Sequence, residues 1–139
     1  METEEQGWQQ ELNAKRLKTR GWYGCIAPDG WKDIILKADE MLAFIDPDYE
    51  IHQIKEKFGT LRYYFGTTKS GVESDIMYAI ERWAESRSAS TCESCGKFGE
   101  LRTEDYYIVT LCDDCNLKRL EELKSRGWKP REENNDDED

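Results

Sequence analysis

Residues 92–115 read CESCGKFGELRTEDYYIVTLCDDC, two Cys-x2-Cys pairs separated by sixteen residues. A Cys-x-x-Cys turn sets two sulfurs about one tetrahedral edge apart, and a second such turn closes the shell around a soft divalent ion. Cys92, Cys95, Cys112 and Cys115 are therefore the candidate ligands of one structural Zn2+. An iron site and a pair of reversible disulfides are the other chemistries open to the same four thiols. Four protein ligands leave no position for water, so the expected role is structural and not hydrolytic. Gly96 suits a knuckle that bends tightly. The four thiolates and Zn2+ together carry a net −2, which Lys97, Arg102 or nearby backbone amides can offset.

Working outward, FGELRTEDYYIVTL between the pairs alternates in polarity and predicts a short hairpin. After Cys115, Leu117, Leu120 and Leu123 recur at near-helical spacing and Gly127 marks a stop. Knuckle, hairpin and a helix carrying the second pair in its first turn describe a treble-clef or zinc-ribbon-like finger with four cysteine ligands. Upstream, residues 49–66 read YEIHQIKEKFGTLRYYFG, aromatic and β-branched with alternation, which predicts a β-hairpin turning at Phe58-Gly59. That turn pairs Lys57 with Thr60, Lys55 with Arg62 and Gln53 with Tyr64 on one face. On the other it pairs Glu56 with Leu61, Ile54 with Tyr63 and His52 with Phe65. The second face is apolar and is expected to pack inward, and a bulge would exchange the faces.

Two helices flank this hairpin. Trp31, Ile34, Ile35, Ala38, Met41, Leu42 and Ile45 mark the first, capped by Asp29 or Gly30 and ended by Asp46-Pro47. Residues 70–88 predict the second, with Ser70 and Glu73 as a capping box and Val72, Ile76, Met77, Ile80, Trp83 and Ala84 as the buried stripe. Residues 21–30, GWYGCIAPDG, read as a loop. Residues 5–20 predict a short amphipathic helix with Trp8, Leu12 and Leu17 on its apolar side. The expected class is α+β: a helix–hairpin–helix unit over 25–89 packed against a four-cysteine finger over 90–128. An N-terminal helical extension (1–24) and a disordered acidic tail (129–139) flank them.

The 139 residues suffice for a real core, and 37% hydrophobic content with five Trp and seven Tyr argues against wholesale disorder. No apolar run approaches the ~18–20 residues needed to span a bilayer. The acidic start METEEQGWQQ lacks the apolar stretch of a signal peptide, so a cytosolic setting with reduced thiols is expected. Net charge is −10, and the last nine residues, six acids against one Arg, carry half of it. Such a chain is poorly suited to general phosphate binding.

The chemistry-bearing residues are few. His52 is the single histidine, assigned by register to the core face, and Cys25 stands in an apolar context as a buried thiol. Treble-clef nucleases need histidines beside the metal, and none neighbours these cysteines. There is no Gly-x-Ser-x-Gly, no phosphate loop and no second metal cluster, so an enzyme is not expected. The outward hairpin face, with Gln53, Lys55, Lys57, Arg62 and Tyr64, is the candidate partner surface. Lys55 and Arg62 stand directly opposite one another, a repulsive arrangement that an acid from the chain itself or from a partner would relieve.

The run from GWKDIILKADEMLAF through IHQIKEKFGTLRYYF to the cysteine finger, about residues 30–116, resembles a family of small proteins from bacteriophages and prophages. Its marks are a Gln-[Ile/Val]-Lys-Glu-Lys-[Phe/Tyr]-Gly-x-Leu-Arg-[Phe/Tyr]-Tyr hairpin and a four-cysteine finger. On that match Gln53, Lys55, Glu56, Lys57, Phe58, Gly59, Leu61 and Arg62 are signature positions. The resemblance implies a viral setting in a bacterial host cytosol and no particular activity. The expected function is non-catalytic binding of a host or viral protein, of the kind that inhibits a bacterial defence system. A nucleic-acid-binding regulator using the basic hairpin face is the alternative, and an enzyme built on His52 or Cys25 ranks last.

Overall fold

The computed structural model describes residues 7–130, so the acidic run 131–139 and the first six residues lie outside the described residues. The chain folds as a mixed α+β structure. In order it forms α1 (Gly7–Arg16), β1 (Gly24–Cys25), a 3-10 turn (Asp29–Trp31), α2 (Lys32–Ile45), β2 (Glu50–Lys57) and β3 (Thr60–Gly66). Helix α3 (Val72–Ser88), β4 (Glu100–Arg102), β5 (Val109–Leu111) and α4 (Asp113–Ser125) follow. No helix among the described residues is long and apolar enough to cross a membrane.

The central sheet has the order β1-β2-β3, with β1 parallel to β2 and the β2–β3 hairpin antiparallel. The pairs Lys57/Thr60, Glu56/Leu61, Lys55/Arg62, Ile54/Tyr63 and Gln53/Tyr64 fall in the expected register. Phe58 (φ 56°) and Gly59 (φ 87°) both take left-handed backbone, the geometry that matches the twist of a tight hairpin. Below Gln53 the register shifts, and Ile51, not His52, faces Phe65. This corrects the placement of His52. Ile51 and Ile54 are both fully buried. Three positions separate them, so a strict two-residue alternation would turn one outward, and a bulge takes up the extra residue. His52 is half-buried and stacks on Trp22, with centroids 4.2 Å apart and rings inclined by 11°.

The buried side of the sheet, with Ile51, Ile54, Leu61, Tyr63 and Phe65, shares one core with Ile34, Ile35, Ala38 and Leu42 of α2 and with Met77, Ile80 and Ala84 of α3. Helix α1 belongs to that core as well, through Leu12. Its Asn13 side chain accepts from the Cys25 amide (2.8 Å), and its Gln9 side chain donates to the Ala27 carbonyl. The stretch containing Gly24 and Cys25, expected as loop, is therefore a short edge strand held between α1 and β2.

Helix α3 differs from expectation in two respects. Gly71, at φ 65°, caps it, with no side-chain cap hydrogen bond, so the Ser70–Glu73 capping box does not form. The left-handed turn at Gly71 brings its own carbonyl to the Asp75 amide at 3.0 Å. The buried stripe is Met77, Ile80, Ala84 and Ser88, while Val72, Ile76 and Trp83 lie exposed. At its C-terminal end the helix meets the edge strand β3, where Ser88 Oγ accepts from the Leu61 amide (2.8 Å).

A buried polar network joins α1, α2, β3 and the residue just before β2. Arg16 Nε of α1 donates to Asp39 Oδ1 of α2 at 2.8 Å, and the Tyr49 hydroxyl donates to the same oxygen at 2.5 Å. With the Tyr49 proton so committed, the Tyr63 hydroxyl donates to Tyr49 at 2.7 Å. The Arg16 guanidinium also lies 5.0 Å above the Tyr49 ring. Burial, first, and the Asp39 charge push both phenols well above their ordinary range, against the pull of the Tyr49 hydroxyl and Arg16 on Tyr63, so they remain neutral donors.

Two stability tests follow from this geometry. Asp39→Ala leaves the Arg16 cation buried without its partner and is expected to cost about 3–5 kcal/mol in urea unfolding. Phe58→Asn supplies the residue type that left-handed hairpin turns favour and is expected to raise stability by about 1 kcal/mol, seen as a higher urea midpoint at unchanged slope.

Candidate metal centre

The first cysteine pair leaves the end of α3 through a turn seated on the core. Trp31, fully buried, donates its indole N–H to the Thr91 carbonyl (2.9 Å), and the Gly30 amide donates to the Glu93 carbonyl (2.8 Å). A Cβ on Gly30 would stand 2.1 Å from the Cys92 carbonyl oxygen, so only glycine permits this approach. The knuckle then closes on itself. Cys92 N donates to Lys97 O at 2.6 Å, Gly96 N to Cys92 O at 3.0 Å, and Cys95 N to Cys92 Sγ at 3.5 Å. Gly96 supplies the positive φ (85°) of the bend.

The second pair is built on a helix start. Cys112 is the N-cap of α4, and its Sγ accepts from the Cys115 amide at 3.4 Å. Strands β4 and β5 pair antiparallel between the two cysteine pairs and return the chain to that start. Knuckle, hairpin and helix thus follow in the expected order and make a finger-like element.

The four sulfur atoms all lie within 4.8 Å of one another, and Cys95 Sγ and Cys112 Sγ are 3.7 Å apart. A tetrahedron with metal–sulfur bonds of about 2.3 Å has edges of about 3.8 Å. Donor type, number and spacing therefore fit a tetrahedral thiolate metal site. Burial raises the Cys92 thiol, but the amides of Cys112, Cys95 and Ser94 outweigh it and bring it to about 6. Arg102, one of the cations expected to offset the site's charge, donates to the Leu111 carbonyl (3.0 Å) and pairs with Asp113 (2.7 Å). The sulfurs are met instead by backbone amides and by the positive end of α4.

The finger meets the sheet at the hairpin tip. Thr110 of β5 donates its hydroxyl to Gly59 O (2.7 Å) and its amide to Glu93 Oε2 (2.8 Å). Burial pushes the Glu93 carboxyl up to about 7, against the pull of the Thr110 amide, with Glu56 and Cys92 adding to the rise.

The candidate partner residues divide. Gln53, Lys55, Arg62 and Tyr64 form two adjacent cross-strand pairs, and Tyr64 is 45% exposed. Arg62 turns toward α3 and pairs with Glu85 at 2.8 Å, so the repulsion between Lys55 and Arg62 is relieved from within the chain. Lys57 lies 5.7 Å from the Phe58 ring at the tip. Cys25 is 2% exposed, and burial pushes its thiol up to about 11, the state of an unreactive core side chain. Sequence reasoning does not find Trp22 and Tyr78, which line a cavity with His52 and Tyr64. The Ile51-x-x-Ile54 spacing is the available signal, since it requires the bulge that releases His52.

Compared with protein-family models, curated proteins and solved structures, the chain has no match in any of the three.

Cys112→Ser is expected to lose the metal, measured by elemental analysis of protein purified without chelator, and to unfold at least residues 90–128, measured by loss of amide protection there. Retention of both metal and protection would remove the structural role.

Proposed function

We propose that this is a non-catalytic binding protein whose fold is completed by one structural Zn2+ on Cys92, Cys95, Cys112 and Cys115. Its outward hairpin face, with Gln53, Lys55, Lys57, Arg62 and Tyr64, contacts a partner protein. The observation that carries the reading is the pairing of a thiolate cage closed by four protein ligands with a polar and aromatic sheet face on fixed cross-strand positions. A closed thiolate site has no vacancy for substrate or water. Side chains presented on a sheet lose less freedom on binding than those on a loop, and Tyr and Arg are frequent anchors of interfaces.

The resemblance to phage and prophage proteins directs the proposed partner toward a bacterial host component, and specifically toward a defence system that the protein would inhibit. The Lys55 and Lys57 cations favour one competing reading, a nucleic-acid regulator. The overall charge of −10 weighs against it.

The test is the double variant Lys55→Glu with Arg62→Glu, in capture of partners from bacterial cells read by mass spectrometry and in anisotropy titrations with short DNA and RNA. It is expected to keep its zinc, to lose about 1 kcal/mol of stability from the half-buried Arg62–Glu85 pair, and to lose capture. Unchanged capture would place the surface elsewhere. Nucleic-acid affinity that falls steeply with salt would support the regulator instead.

A further inference from the structure

The bulge that turns His52 outward also builds a cavity that the partner-face residues do not account for. It measures about 350 Å3 and lies among Trp22, the β2–β3 hairpin and α3. On one side the Trp22 ring is fixed by its stack on His52. On the other stand Tyr64 of β3 and Tyr78 of α3, 45% and 42% exposed. Tyr78 rests on the largely buried Phe65 ring, with centroids 5.0 Å apart, which fixes the cavity's floor. Gln53 and Glu81 supply the polar lining, and among the described residues no Lys or Arg lines it.

Glu81 gives the cavity its sign. Its carboxylate has no hydrogen bond or ion pair among the described residues, whereas Glu85, one turn further along α3, is paired with Arg62. Burial, and then the charge of Glu85, raise the Glu81 carboxyl above its ordinary range, against a smaller opposing pull from the Arg82 charge. Aromatic faces carry negative quadrupole potential and attract a cation within about 6 Å. Aromatic walls, one unpaired carboxylate and one amide form the complement of a planar, delocalised cation with several N–H donors. Among protein side chains this is a guanidinium.

We propose that the cavity bounded by Trp22, His52, Gln53, Tyr64, Tyr78 and Glu81 receives an arginine side chain of the partner protein. The proposal deepens the partner-face reading, since Gln53 and Tyr64 belong to both. Lys55 follows Gln53 on the same face of β2, so the arginine is expected within a segment whose neighbouring residues are acidic. The volume lies at the low end of ligand pockets and suits one side chain.

The test uses the full chain with zinc bound, at pH 8. Blocked Gly-Arg-Gly is titrated while the Trp22 indole N–H is followed by NMR, against the citrulline peptide of the same shape and no charge, and against AMP. Saturable shifts are expected for the arginine peptide, with at least tenfold weaker binding of the citrulline peptide. Glu81→Gln is expected to weaken arginine binding about tenfold. Trp22→Ala is expected to abolish it, followed on Tyr64 and Tyr78, without loss of zinc or of amide protection in the sheet. Equal affinity for the two peptides overturns the proposal, as does no saturation to roughly 20 mM, beyond the millimolar range of the weakest specific binding. AMP binding tighter than arginine overturns it in favour of a nucleobase. The result is separate from the wider reading. The cavity stands if arginine binds while charge reversal at Lys55 and Arg62 spares partner capture, and it falls if capture survives Trp22→Ala with Glu81→Gln.

Discussion

Asp39 is the buried charge around which the main body of the protein is arranged. One of its oxygens receives both the Arg16 guanidinium and the Tyr49 hydroxyl, and Tyr63 joins through Tyr49. Those four side chains come from α1, α2, the start of the hairpin and β3. A carboxylate moved out of water carries a desolvation cost of several kcal/mol unless its partners are in place. Helix α1 therefore cannot leave, and the hairpin cannot slide, without stranding a charge. Apolar contacts alone tolerate shifts of that kind, so the network supplies register where Leu12, Ile35 and Ile51 supply burial.

The metal centre is tied to the same body by two small contacts. Gly30 admits the Cys92 carbonyl where any side chain would collide, and Trp31 fastens the turn just before it. On the far side Thr110 holds the hairpin tip through the Gly59 carbonyl. The finger thus touches both the entrance of α2 and the end of the first hairpin.

Much of this is legible in residues 49–66 and 92–115. The hairpin turn and five of its cross-strand pairs follow from the Phe58-Gly59 punctuation and the alternation around it. The four ligands and the order knuckle, hairpin, helix follow from cysteine spacing, because a tetrahedral shell admits few chain paths. What escapes is set by tertiary context. His52 leaves the core because Ile51 and Ile54 both claim it. Periodicity places Val72, Ile76 and Trp83 inward, yet α3 buries the narrower stripe Met77, Ile80, Ala84 and Ser88. The Ser70–Glu73 pattern is sound local chemistry overridden by the left-handed turn at Gly71. Gly24-Cys25 is too short for a strand signal and becomes one only because β2 lies beside it. The Asp39 network has no local signature, for its hydrogen-bonded pairs are 10 to 23 positions apart.

The seat of Cys92 on Gly30 has a consequence for the life of the chain in a cell. A finger joined to its neighbours by a flexible tether could empty and refill without disturbing them. Here the first knuckle shares hydrogen bonds with the turn that starts α2, so on the proposed zinc-bound reading an empty site would loosen the Trp31 anchor. Metal supply would then act as a checkpoint on maturation. On that reading, chains synthesised faster than thiolates can be metallated would expose apolar surface and be cleared by proteolysis, and the amount of working protein would follow the available metal more closely than it follows the rate of translation.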